Sequence, residues 1–148
     1  MKFNEYDPNI AKAFIQRWEG AELVAYQCSA GVWTIGYGHT THVIKGMKIT
    51  QAQAEEFLEE DLKKIFKEMC KLVSVDVTEG QFIALMSFAF NLGTTKFKGS
   101  TLRRCLNRGD TGLAADEFLR WHFSEGKSVP GLLARRRAER ELFLGGQK

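Results

Sequence analysis

Proline occurs only twice in the 148 residues and no stretch is dominated by a few residue types, which argues against a disordered linker. There is no internal repeat. Cysteine is scarce and odd in number. Cys28, Cys70 and Cys105 form no CxxC pair and keep no ligand spacing with the three histidines, which argues against a disulfide framework and against a metal site. Reduced thiols in a cytosolic product are the default expectation. The longest apolar run, Phe82 to Leu92, is broken by Ser87 and Asn91 and is too short to span a bilayer. After Lys2 the first residues lack an apolar core of the kind a secretory signal needs, so none is expected. Charge of one sign is also in short supply. A formal net charge of +3 can speed encounter with an anionic polymer but does not name one.

What is present suffices for a packed domain: 44% of the residues are apolar, enough at this length to bury a real core. Apolar residues at 10, 11, 14, 15 and 18 predict a helix over Ile10 to Trp18, stopped near Gly20. From Val24 to Tyr37, β-forming residues flank a small-residue break at Ser29-Ala30-Gly31, the pattern of a short hairpin. Thr50-x-x-Gln53 reads as a capping box. Behind it Ala54, Phe57, Leu58, Leu62, Ile65, Phe66 and Met69 form one apolar stripe, with glutamates and lysines opposite. Thr78-x-x-Gln81 is a second box, opening a helix to Leu92 that is apolar nearly all round and therefore central, with Gly93 as its stop. Shorter helices are expected from Ser100 to Asn107, Leu113 to His122 and Gly131 to Phe143. The expected class is α+β and mostly helical: a small β-hairpin lobe joined by a long helix to a bundle of five or six helices. As one domain this divides into an amino-terminal helix and β lobe over about 10–48, a linking helix over about 51–70 and a helical lobe over about 74–148.

The chemistry concentrates between Trp18 and Thr40. Glu19, Cys28 and Thr34 fall at the spacing E-x8-C-x5-T, followed at once by Ile35-Gly36-Tyr37-Gly38-His39-Thr40. A free glutamic acid, with a pKa near about 4.3, is ionised at neutral pH and cannot serve as an acid, so a catalytic one must be held protonated. The apolar neighbourhood of Trp18 and the negative end of a helix dipole both act in that direction at Glu19. Cys28 and Thr34 fall on either side of the hairpin tip, from which both can face the same cleft. Taken singly, each has a plainer reading: a solvated glutamate, a small buried thiol, a β-branched strand residue.

Together these residues resemble the catalytic segment of the phage-type lysozymes, or endolysins, of glycoside hydrolase family 24. The resemblance covers most of the chain. It implies a lysozyme-like fold and a muramidase that hydrolyses the β-1,4 bond between N-acetylmuramic acid and N-acetylglucosamine in bacterial peptidoglycan. It also implies that Glu19 is the general acid, with Cys28 and Thr34 positioning an attacking water. Many members carry aspartate at the position of Cys28, and inversion at the anomeric carbon is expected of them. A thiol with an ordinary pKa of about 8.5, raised further by a nearby carboxylate, is a poorer base than aspartate, and a thiolate nucleophile giving a retained product is the alternative.

His39 resembles the histidine that buttresses the family's cleft. Trp33 and Tyr37 can flank sugar faces or pack the hairpin, and Gly36 and Gly38 let backbone approach a ligand. Phe90-Asn91-Leu92-Gly93 resembles the family's F-N-x-G segment, where Asn91 either contacts an N-acetyl group or caps the helix. Trp121 and the stretch Pro130 to Leu142 resemble its closing segment. Arg135, Arg136 and Arg137 are interleaved with Glu139 and Glu141 and spread around a helix, so the expectation is a solvated, salt-bridged face rather than a nucleic-acid patch.

No metal or organic cofactor is implied, and a monomer is expected. The protein would stay in the host cytoplasm until a holin lets it reach the periplasm and wall, causing lysis. Two rivals remain at this point: a cysteine hydrolase using Cys28 with His39, and a non-catalytic wall-binding module.

Overall fold

The computed structural model describes residues 1–124 and 126–145. The chain enters through two 3-10 turns, Phe3–Glu5 and Pro8–Ala11. The second is started by Asp7, whose side chain accepts a hydrogen bond from the Asn9 amide at 2.9 Å, with Pro8 at the first position. Helix α1 then spans Lys12–Trp18. The expected helix from Ile10 thus begins two residues later, because the proline-started turn tightens the first residues to i→i+3 bonding. At its end Glu19 leaves helical geometry (φ −102°, ψ 119°) while its amide still bonds Ile15 O at 3.0 Å.

Strands β1 (Glu22–Gln27) and β2 (Trp33–Gly36) pair antiparallel, with Gln27 opposite Trp33, Tyr26 opposite Thr34 and an irregular register toward Glu22. Both capping boxes form as the sequence indicates. The Thr50 and Thr78 hydroxyls each accept from the amide three residues on at 3.1 Å, and the Gln53 and Gln81 side chains accept in return at 2.9 Å. They open α2 (Gln51–Leu72), which buries Ala54, Leu58, Leu62 and Met69, and α3 (Glu79–Leu92), which is buried on nearly every side.

Gly93 ends α3 at φ 96°, a backbone state costly for any residue with a Cβ, and the chain turns directly into the short α4 (Thr94–Lys98). Helix α5 (Thr101–Asn107) follows, capped by the Ser100 hydroxyl, which accepts from the Arg103 amide at 3.1 Å. The helix expected from Leu113 to His122 is divided. Helix α6 spans Thr111–Glu117, and Phe118–Arg120 tighten into a 3-10 turn with Phe118 fully buried beneath. A two-residue hairpin, β3 (Phe123–Ser124) with β4 (Lys127–Ser128), leads to α7 (Pro130–Phe143). Neither α4 nor this hairpin was expected; both are short, and β3 and β4 are exposed on every residue. The α+β, mostly helical class holds.

The helical core is organised around one ring. Phe88 meets the rings of Phe97, Phe118 and Trp121 edge-on, at 6.2, 5.6 and 5.5 Å. Each such side chain contributes roughly 1.5–3 kcal/mol by burial. Helices α3 and α7 pack at backbone distance: a Cβ at Gly80 would stand 2.5 Å from Leu142 O, so only glycine fits. That approach also brings the buried face of α7 against Ser87. Among the described residues no helix is long and apolar enough to cross a membrane.

Candidate active site

A cleft of about 440 Å³ is lined by the end of α1, the β1–β2 hairpin, α2 and the end of α3. The bend after α1 delivers Glu19 to it. The hairpin contributes Tyr26, Cys28 and Thr34, the following turn Gly38 and Thr40, α2 contributes Asp61, Lys64 and Ile65, and α3 contributes Phe90 and Asn91. Glu19, Cys28, Thr34 and Asn91, from three separate stretches, therefore meet in one concavity. Tyr37 and His39 are not on its lining. The Tyr37 ring is buried, and its hydroxyl accepts from Gln51 Nε2 at 2.9 Å.

His39 is buried with its Nδ1 2.8 Å from Asp61 Oδ2, and its ring stacks on Phe57 at 4.3 Å. This ties the loop after β2 to α2 and fixes Asp61 at the cleft wall.

The hairpin tip shapes the environment of the sulfur. The Cys28 amide donates to Val32 O at 3.0 Å and Gly31 N donates to Cys28 O at 2.8 Å, closing a tight turn. The amides of Val32 and Ala30 then face Sγ, and together with the Thr34 hydroxyl they hold the Cys28 thiol below its ordinary value. A pKa raised by a neighbouring carboxylate was expected; the backbone donors prevail. In the structure the Thr34 hydroxyl, on a residue only 4% exposed, donates to Val32 O at 3.0 Å. It has one hydrogen, so serving a thiolate requires that bond to swing. Tyr26 is shifted the other way. Burial, then Glu22, Glu19 and Cys28, push its phenol up and keep it neutral.

Cys70 is packed against the core and its thiol is pushed up by burial. A lowered pKa brings in the thiolate at lower pH, and a raised one delays it. Iodoacetamide should therefore label Cys28 with a midpoint below that of an ordinary thiol, and Cys70 only above it. Mass spectrometry of the labelled peptides across pH reads both, and equal midpoints would contradict the assignment.

Behind Glu19 stands a group the sequence reading did not anticipate. Arg135 Nη1 lies 2.5 Å from Glu19 Oε2, with Arg135 4% exposed and the Glu19 side chain 24%. The apolar surroundings expected around the acid are corrected on this side, where a buried guanidinium stands against its carboxyl group. Arg136 and Glu139, with no exposure, form a further pair at 2.6 Å (Nε to Oε1). Burial pushes the Glu139 carboxyl up and the Arg136 guanidinium down. The solvated face expected for this stretch is corrected: Arg135, Arg136 and Glu139 point into the protein. The signal was available, because Leu132, Arg135, Arg136, Glu139, Leu142 and Phe143 recur at helical spacing on one stripe.

A carboxyl group at a helix end, opposed by a hydrogen-bonding hairpin in a groove beside a helical lobe, fits a glycoside hydrolase of the lysozyme type, and comparison with known proteins assigns the chain to that class. Residues 16–139 match the family described as Phage lysozyme, and the chain belongs to that family. The endolysin of Acyrthosiphon pisum secondary endosymbiont phage 1 is 46% identical over 133 residues, 87% of this chain and 91% of its own length. The endolysin of Bacillus phage B103 is 42% identical over 145 residues, which cover 94% of this chain but 55% of that protein. Among solved structures, the muramidase domain of SpmX from Asticaccaulis excentricus superposes with a TM-score of 0.85 at 34% identity, covering 91% of this chain and 95% of that one.

Proposed function

We propose that this chain is an endolysin that hydrolyses the β-1,4 bond between N-acetylmuramic acid and N-acetylglucosamine in bacterial peptidoglycan. The convergence of Glu19, Cys28 and Thr34 on one cleft, in a chain of the lysozyme class, carries the reading. Glu19 delivers a proton to the departing glycosidic oxygen, and Arg135, already against Oε2, stabilises the carboxylate left behind. Cys28 and Thr34 hold a water on the opposite face of the sugar. Backbone donors that pull the thiol down populate its thiolate at lower pH, and the thiolate is the form able to take a proton from an attacking water. Asn91 Oδ1, buried on the cleft wall without a hydrogen-bond partner, supports a role in binding the N-acetyl amide. His39 and Tyr37 support the cleft from behind.

The cysteine-hydrolase reading is weaker, because His39 is buried, engaged with Asp61 and away from the cleft lining. In this account the chain works as one lysozyme domain and as a monomer. It remains in the host cytoplasm until a holin admits it to the periplasm, and its action there lyses the cell. Digestion of purified peptidoglycan tests the activity. Mass spectrometry should find fragments ending in reducing N-acetylmuramic acid with stem peptides intact. Fragments cut in the peptide, or none at all, would overturn the reading.

A further inference from the structure

Of four polar groups between α3 and α7, Ser87, Arg135, Arg136 and Glu139, the proposed reaction uses only Arg135 directly. The Ser87 hydroxyl donates to Glu139 Oε2 at 2.5 Å and accepts from Arg135 Nε at 3.3 Å and Nη2 at 3.2 Å. Arg135 Nη2 also donates to the Ser87 carbonyl at 3.2 Å, and Nε lies 3.4 Å from Glu139 Oε2. Ser87, Arg136 and Glu139 have no exposure at all. Arg136 sits over the Phe88 ring at 5.3 Å and Nη2 donates to Glu139 Oε2 at 2.8 Å, adding a second cation against the one buried carboxylate.

The guanidinium of Arg135 is planar and rigid. Gripped along its Nε–Nη2 edge, it has one corner, Nη1, left to point outward, and that corner meets Glu19. A buried ion cluster by itself is weak evidence of anything beyond packing, since apolar residues often replace one without loss. This cluster differs in that it ends on the partly exposed carboxyl group of the cleft.

We propose that Glu139, with Ser87, is a positioning residue for the reaction: it fixes the Arg135 fork and thereby the direction in which Glu19 presents its carboxyl group to the sugar. The proposal rests on the reading of Glu19 as the acid. It explains why a glutamate occupies the most buried stripe of α7, where a leucine would pack without desolvating a charge.

The test uses soluble, uncrosslinked peptidoglycan strands as substrate, with the folded fraction of each variant checked by circular dichroism. Glu139→Gln should lower kcat by about 10- to 100-fold, the scale of a small misplacement transmitted to the reacting group, with KM changed less than about twofold. On an Arg135→Met background the same substitution should cost nothing further, because the group it acts through is gone. Should Glu139→Gln fail to fold, Ser87→Ala carries the same pair of comparisons with a smaller loss. Unchanged kcat in the folded single variant, or losses that multiply in the double one, would overturn the positioning role. A parallel Glu19→Gln separates the two claims. If it is inactive beside a fully active Glu139→Gln, only the positioning role falls; if it is active, the acid assignment falls first and this proposal with it.

Discussion

Glu19→Gln should reduce clearing of peptidoglycan suspensions by at least about 10²- to 10⁴-fold, the contribution of a positioned general acid. The amide keeps the shape of the carboxyl group, and its carbonyl oxygen can still accept from Arg135. It has no acidic proton to give to a departing sugar oxygen. Fold should survive, since Arg135 retains Ser87 and Glu139 as partners and the Glu19 side chain is 24% exposed. A stability loss of about 1 kcal/mol is expected, in line with one hydrogen bond weakened. A turbidity assay alongside a thermal melt checks both halves. Activity within about tenfold of the wild type would remove Glu19 from the role of acid.

Arg136→Met should have the largest effect on stability. It removes the main cation from Glu139, whose carboxyl group has no exposure, and it removes the guanidinium stacked over Phe88. Breaking a buried pair from one side costs about 3–5 kcal/mol, and the remaining carboxylate keeps only the longer contact to Arg135 at 3.4 Å and the Ser87 hydroxyl. For a chain of this size that is a drop in Tm on the order of 10 °C. The double variant Arg136→Met with Glu139→Leu should recover much of the loss, since removing both charges also removes the desolvation cost. Calorimetry of the three proteins decides it. A single variant as stable as the wild type would mean that Glu139 is not charged in the folded protein.

The residues that announced themselves in the sequence did so through local chemistry. Thr50 with Gln53 and Thr78 with Gln81 are contacts between neighbours three residues apart, so the spacing alone marks where α2 and α3 begin. Glu19, Cys28 and Thr34 likewise lie within one short stretch, and the hairpin between them folds on its own turn residues.

What stayed hidden depends on distant partners. Arg135 is 116 positions from Glu19, and nothing in the local pattern says which residue its fork will meet. Asp61 sits among the glutamates and lysines of α2 as one more polar residue; its pairing with His39 makes it different. The arginine-rich stretch was read as solvated because charge usually is, and the apolar spacing of Leu132, Leu142 and Phe143 around it was the evidence against that. The 3-10 turn at Phe118 follows from the position of that ring under Phe88, a tertiary demand that overrides helix propensity.

The most direct measurement is the anomeric form of the first product, followed by NMR within the first minutes of digestion, before mutarotation. Water held by Cys28 and Thr34, attacking as Glu19 releases its proton, predicts the α anomer at the new reducing end. The β anomer appearing first would mean that a covalent sugar–enzyme intermediate intervenes, and would contradict the account at its centre.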